Sequence, residues 1–314
     1  MKYTCYRLFA AVMASAVVAG CETPELAPPP VLKAQSSSDL TFISFPVPEP
    51  LVEVTSVEYY NGAVRKKWEK PEALGASQVP GGHPIYVFQP RGTPGDANTV
   101  GTWTRISGPN GGGAVKIAAG YEYNGTVGFR YVVTDQNELW VSSGNSPGWR
   151  KINHPAVDVA VAYGNTASVY VYFLGAATVN GGHPIYRYRW DTGQAVEVVP
   201  GAAGIELAVD RDGRPWVTTS NQQVWVGPAP GSSGGFVPVE ASAGDIACTV
   251  DDVAVLGTGS APLPGGYEVY KRPYSSPLES YTWTWEGGQA TRIGSSFNGK
   301  FFLIDSFGQL HMAQ

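Results

Sequence analysis

The 314-residue chain is poor in cysteine, in charge and in long apolar runs, and each shortage excludes something. Of its three cysteines, Cys5 lies within an N-terminal leader and Cys21 at the leader's end, leaving Cys248 as the one free thiol beyond them. Neither an intramolecular disulfide framework nor a cysteine-rich metal site is open to such a chain, so its stability must come from an extended core. Charged residues make up 15 % of the sequence, 21 basic against 26 acidic, with no basic stripe. That balance argues against nucleic acid as a partner. The apolar run Leu8–Val18 is too short to cross a bilayer. Long helical periodicity is absent after it, whereas Gly, Pro, Tyr and Trp are plentiful. This is an all-β composition.

Lys2 and Arg7 precede the apolar run, which ends in Val18-Ala19-Gly20-Cys21. The order is that of a secretory leader, and the tetrapeptide resembles the bacterial lipobox. The resemblance implies cleavage before Cys21, a diacylglyceryl thioether on its sulfur and acylation of its amine, hence a membrane partner. An ordinary signal peptide with an incidental cysteine is the plainer alternative. Glu22 stands where inner-membrane lipoproteins carry aspartate, so the resemblance implies the outer membrane of the cell envelope. Loss of Lys2 and Arg7 leaves 19 basic residues against 26 acidic ones, a net charge of about −7. Residues 21–39 contain Pro24, Pro28–Pro30 and Ser36–Ser38 but few residues able to pack. They read as a tether. The expected organisation is a leader over 1–20, a lipid-anchored tether over 21–39 and one folded domain over 40–314.

Within that domain GGHPIY occurs twice, at Gly81–Tyr86 and Gly181–Tyr186, and Gly265–Tyr270 is a weaker third version. Turn signals recur as well, at Asn61-Gly62, Asn124-Gly125, Gly164-Asn165, Asp212-Gly213, Asp251-Asp252 and Asn298-Gly299. Their separations of about 40–60 residues are those of propeller units. Small-residue strands precede the turns, with Ala118, Ala160, Ala208 and Ala247 at similar places, as an innermost strand near a narrow axis requires. The hexapeptide falls between the second and third strands of alternate units, and Trp140, Trp225 and His311 mark the third strands of the others. The pattern predicts a six-bladed β-propeller of four-stranded antiparallel blades with an approximate threefold alternation. The last unit runs out of chain before its fourth strand, so Thr41–Phe45 is expected to close the ring from the N-terminus and remove the exposed sheet edge.

The order of a small-residue strand, a Gly turn, a Val-Trp-Val strand, Gly-Gly, Ile-Tyr-Arg and Val-Pro-Gly resembles the tectonin repeat of tachylectin-like propellers. Gly181–Trp190, Glu197–Gly201, Ile205–Val217 and Asp245–Ala247 carry the likeness, and the first two units depart from it. The resemblance implies a non-catalytic envelope binding module that recognises surface carbohydrate or lipopolysaccharide, or a platform for an envelope protein. It carries over no catalytic residue and implies no cofactor.

His83 and His183 share one position, which Tyr267 takes in the third copy. On one face these three side chains would form a ring able to meet sugar hydroxyls, or they serve only to set the backbone entering a strand. Two histidines at equivalent points of a ring, with no carboxylate at fixed spacing, do not make a metal site. Most tryptophans fall on regular strand positions and read as core. Tyr274, Tyr281, Trp283 and Trp285 fall off the pattern, and Trp283 and Trp285 alternate so that one strand face carries both. If exposed, that face is a stacking platform. Asp210-Arg211-Asp212-Gly213 reads as a hairpin turn. No nucleophile triad or phosphate loop is present, although a degenerate propeller glycosidase needs no local signature.

Overall fold

The computed structural model describes residues 42–61, 66–91, 100–121, 128–143, 148–161, 170–189, 196–259, 262–275, 282–295 and 300–313. The leader, the tether, Cys21, Trp190, Tyr281 and the turns at Asn124-Gly125, Gly164-Asn165 and Asn298-Gly299 lie outside them. Among the described residues every regular element is a β-strand, apart from one 3-10 turn at Pro109–Gly111.

β1 (Phe42–Phe45) is followed by a meander of β2 (Leu51–Asn61), β3 (Lys66–Gly75), β4 (Ile85–Arg91) and β5 (Val100–Ile106). Seven strands then make one sheet: β6 (Lys116–Tyr121), β7 (Gly128–Val133), β8 (Glu138–Ser143), β9 (Trp149–Val161), β10 (Tyr170–Gly175), β11 (His183–Arg189) and β12 (Glu197–Gly204). The next seven make another: β13 (Glu206–Val209), β14 (Pro215–Thr218), β15 (Gln223–Val226), β16 (Val237–Cys248), β17 (Asp252–Gly257), β18 (Tyr267–Pro273) and β19 (Thr284–Ala290). β20 (Arg292–Ser295), β21 (Phe301–Ile304) and β22 (Leu310–Ala313) form the last sheet, with β1 antiparallel to β22 on its outer edge. All pairings between these strands are antiparallel.

Each seven-stranded sheet turns about one long strand. Trp149–Pro155 of β9 pairs with β8, and Ala156–Val161 of the same strand pairs with β10. β16 is divided likewise, Val237–Ser242 to β15 and Ala243–Cys248 to β17. The backbone stays extended through both links. The break between β19 and β20 falls at Thr291.

The first strand of each meander lies against the next around a closed circuit, β2 on β6, β6 on β9, β9 on β13, β13 on β16, β16 on β20 and β20 back on β2. Ala118, Ala160, Ala208 and Ala247 are buried along this circuit, where larger side chains would collide. Between the sheets the aromatic side chains fill the widening wedge. Phe88 packs edge-on against Phe45 and Trp103, and Trp216 and Phe173 are fully buried. Each contributes on the order of 2–3 kcal/mol. Phe45 also meets Phe302, so β1 is packed as well as hydrogen-bonded.

The repeated Gly-Gly acts as a clip between neighbouring units. Val79 and Gly82, Val179 and Gly182, and Leu263 and Gly266 form matching isolated bridges in the loops β3–β4, β10–β11 and β17–β18. The carbonyls of Gly81, Gly181 and Gly265 then accept from the backbone N–H of Asp135, Ser220 and Ser306, each in the following unit's turn. Gly182 has φ +138°, and a Cβ there would stand 2.3 Å from the Gly204 carbonyl oxygen. Gly181 has φ +90°, but a Cβ there would meet nothing nearer than ordinary contact, 3.8 Å from the Ala203 Cβ. Gly182→Ala should therefore cost about 2 kcal/mol, a Tm lowered by about 5 °C, and Gly181→Ala about half of that. Equal losses in thermal denaturation would show that the close approach is not what demands the glycine.

Candidate functional site

Among the described residues, polar side chains and space come together at the axis of the circuit and on the face that carries the Gly-Gly loops.

At the axis each first strand contributes one charged residue at an equivalent point. They are Glu53, Lys116, Asp158, Glu206, Asp245 and Arg292, two positions ahead of the small residues Thr55, Ala118, Ala160, Ala208, Ala247 and Gly294. Five of the six line a narrow cavity of about 60 Å³ along the axis, with room for water and none for a sugar ring. Lys116 Nζ is the hub, 2.5 Å from Glu206 Oε2, 3.3 Å from Glu53 Oε2 and 3.9 Å from Asp158 Oδ1. Arg292 Nε approaches Glu53 at 4.0 Å. Asp158 Oδ1 also accepts from the Val159 N–H, but its buried Oδ2 has no hydrogen-bond partner. Asp245 accepts from the N–H groups of Ile246 and Ile293.

Four carboxylates against two cations leave an excess of negative charge in a narrow, largely buried place. Burial pushes Asp158 up to about 7, with Glu206 and Glu53 adding to the rise and Lys116 opposing it. Burial pushes Asp245 well above the carboxylate range for the same reasons. Burial works the other way on Lys116, but the surrounding carboxylates outweigh it and hold the ammonium charged far above neutrality. Sequence reading missed this ring. The signal was present as a charged residue two places before each small one, at intervals of about 40–60 residues. Clustered carboxylates with raised pKa are what a hydrolase needs, but here the Lys116 ammonium occupies the point on which they converge.

On the Gly-Gly face, His83 and His183 take equivalent positions and turn back on their own loops. Their Nδ1 atoms lie 3.1 Å from the Ser77 carbonyl and 3.0 Å from the Ala177 carbonyl. Tyr267 opens β18 at the third equivalent place, half-buried. The hexapeptide thus has a structural task in the clip, whatever else its histidines meet.

Tyr274 stacks with Arg214, whose Cζ is 5.6 Å from its ring centroid and whose Nη2 donates to the Tyr274 carbonyl. The stacking platform expected at Trp283 and Trp285 is not a solvent face. Trp283 is 3 % exposed, its Nε1 donates to the Glu240 carbonyl, and Arg272 lies over its ring. Trp285 is half-buried against the same core cluster. Alternation failed as a guide because Trp283 precedes β19 and is not on its pleat. The Asp210 turn is a hairpin, as expected: buried Asp210 accepts from the N–H groups of Asp212 and Arg214, from Arg214 Nε and from Trp216 Nε1.

A groove of about 320 Å³ opens on the Gly-Gly face between the β10–β11 loop and β15. Asn180, Thr219, Asn221, Gln223 and Trp225 supply its polar groups, and Gly201, Ala202 and Ala203 its floor. Among the described residues no charged side chain lines it. Its size is at the lower end of ligand pockets.

Neither a protein-family model nor a curated protein matches the chain. Solved structures do. AofleA from Arthrobotrys oligospora superposes with a TM-score of 0.55 at 14 % identity, over 91 % of each chain. The lectin of Aleuria aurantia, described as a six-bladed β-propeller with a novel fucose recognition mode, gives 0.50 at 15 % identity, over 84 % of this chain and 93 % of the lectin. YCF48 bound to D1 peptide also gives 0.50, at 12 % identity, over 90 % of this chain and 99 % of that one. At such identities the likeness concerns the fold, and the fold is a β-propeller.

Proposed function

We propose that the chain is a lipid-anchored binding module of the cell envelope, a propeller of six four-stranded, tectonin-like blades that recognises surface carbohydrate through its Gly-Gly face. The observation that carries this reading is the uncharged groove beside Trp225. Amides, a hydroxyl and an indole line it, the groups that pair with sugar hydroxyls and cover a sugar's apolar face. Fucose recognition by the Aleuria lectin on the same fold supports the ligand class, although fold alone does not transmit function. The blade count rests on the closed circuit of first strands, with β9 and β16 each serving two adjacent blades. The mechanism is binding without bond cleavage, and the acyl chains at Cys21 keep the domain close to envelope glycans. The full chain on a glycan array should bind a defined set of neutral glycans. Binding to none, together with specific capture of one envelope protein, would replace this reading with a scaffold.

A scaffold has one observation in its favour. Val179, Leu263 and Phe307 protrude from loops of the same face, Phe307 with 68 % of its surface exposed, and apolar groups so placed suit protein contact.

The anchor is tested separately. Cys21→Ser should move the protein from the membrane to the soluble fraction on cell fractionation, since several acyl chains hold far more firmly than one. Full retention in the membrane would remove the lipid from the proposal.

A further inference from the structure

The three junctions that follow the Gly-Gly loops are built alike but filled differently. At the first, Trp140 Nε1 donates to Glu138 Oε2 at 3.2 Å, and Lys151 Nζ holds Glu138 Oε1 at 2.5 Å. At the third, His311 Nε2 pairs with Asp305 Oδ2 at 3.0 Å, and Gln289 reaches into the clip to accept from the Gly265 N–H. In both, the aromatic at the third-strand position is satisfied from within the protein.

The second junction breaks the pattern. Trp225 is the counterpart of Trp140, Gln223 stands in place of Glu138, and Pro238 faces Trp225 where Lys151 faces Trp140. The indole Nε1 of Trp225 is buried and has no hydrogen-bond partner. A buried donor without an acceptor costs on the order of 1–3 kcal/mol, and the indole that carries this one lines the groove. Loss of the carboxylate and of its lysine also leaves the lining, among the described residues, without charge. The floor of Gly201, Ala202 and Ala203 leaves open the volume that Gln289 enters at the third junction.

We infer that this second junction alone is the carbohydrate subsite, taking one neutral pyranose whose hydroxyl or ring oxygen accepts from Trp225 Nε1. Side-chain amides of Asn221 and Gln223 meet the other hydroxyls, braced by Thr219 Oγ1, which donates to Asn221 Oδ1 and accepts from the Gln223 N–H. The first and third junctions are its internally closed copies, so each chain binds one sugar unit on this face. The inference rests on the carbohydrate reading above and adds to it the place and the stoichiometry.

The test uses the full-length chain and the free sugars L-fucose, D-galactose and N-acetyl-D-glucosamine. The Trp225 indole N–H resonance, assigned by its disappearance in Trp225→Phe, should shift on addition of at least one sugar, with one site per chain by calorimetry. Gln223→Glu gives the indole the acceptor that Trp140 already has. It should weaken that binding at least tenfold while leaving Tm unchanged or raised, which separates closure of the groove from misfolding. Glu138→Gln at the first junction should leave the affinity for the existing site unchanged. A sugar bound with undiminished affinity by Gln223→Glu, or with no shift of the Trp225 resonance, overturns the assignment of this groove and leaves the carbohydrate reading standing. Failure of the wild-type chain to bind any of the three sugars, or any array glycan, overturns both.

Discussion

Lys116→Met should destabilise the domain by about 3–5 kcal/mol at pH 8, a fall in Tm on the order of 10 °C. The methionine fills nearly the same volume, so the loss is electrostatic. Lys116 is the nearest cation to Glu206, Glu53 and Asp158 at once. Without it the carboxylates of four strands face one another across a narrow axis, with Arg292 as the one cation left in the ring and 4.0 Å from Glu53. An ion pair in a dry interior adds little net stability when intact, yet removal of one partner strands the other. The carboxylates escape by taking up protons, which is affordable in acid and costly in base. The penalty should therefore shrink between pH 8 and pH 5. Lys116 itself stays charged over that window, because its folded pKa is raised well above its ordinary 10.5 and its stabilising contribution is lost only in strong alkali. Chemical denaturation of wild type and Lys116→Met at both pH values measures this directly. A Lys116→Met protein as stable as wild type at pH 8 would mean that the axial charges are solvated independently of one another.

How much of this was visible in the sequence depends on whether a feature is local. The Gly-Gly clip was visible, because positive φ at Gly82, Gly182 and Gly266 is a demand of the chain at that point and leaves a residue signature. The pairing of an N-terminal strand with β22 was visible too, since a unit lacking its outer strand leaves an edge that Phe42–Phe45 has the pattern to fill. The continuity of β9 and β16 was not. Pro155 has no N–H to donate, and it falls where the pairing of β8 with β9 shifts register, so no ladder bond is needed from it. Burial of Trp283 was equally hidden, because its partners Arg272 and the Glu240 carbonyl lie on other strands. The axial ring and the open junction at Trp225 appear only when distant segments are set in register. Lys116 beside Asp158 and Glu206, or Gln223 against Glu138, means nothing until the circuit is closed.

That ring also predicts how stability should change with pH. The ordinary pKa of Asp158 is 3.8, and burial raises it to about 7 in the folded protein, with Glu206 and Glu53 adding to the effect. Between those values the folded state holds a proton that the unfolded chain has released. Stability is then full below about pH 4 and falls as pH rises through 7, the reverse of the usual carboxylate. Asp245 acts in the same direction from a pKa well above its ordinary one, so the fall continues past neutrality. The groups facing Asp158 are Lys116 on β6, Glu206 on β13, Glu53 on β2, and Asp245 and Arg292 further round the ring. None of them reverses the sign. A rise of that size in one buried carboxyl is worth at most about 4 kcal/mol, and sharing of protons with Asp245 reduces it, so a loss of about 2 kcal/mol from pH 5 to pH 8 is expected. Asp158→Asn keeps an acceptor for the Val159 N–H and removes the charge. It should match wild type near pH 4, exceed it at pH 8 and flatten the slope between them. A slope of the same size in Asp158→Asn would assign the proton to another member of the ring, and stability rising with pH in the wild type would mean that the axis is wet enough to keep all four carboxylates ionised.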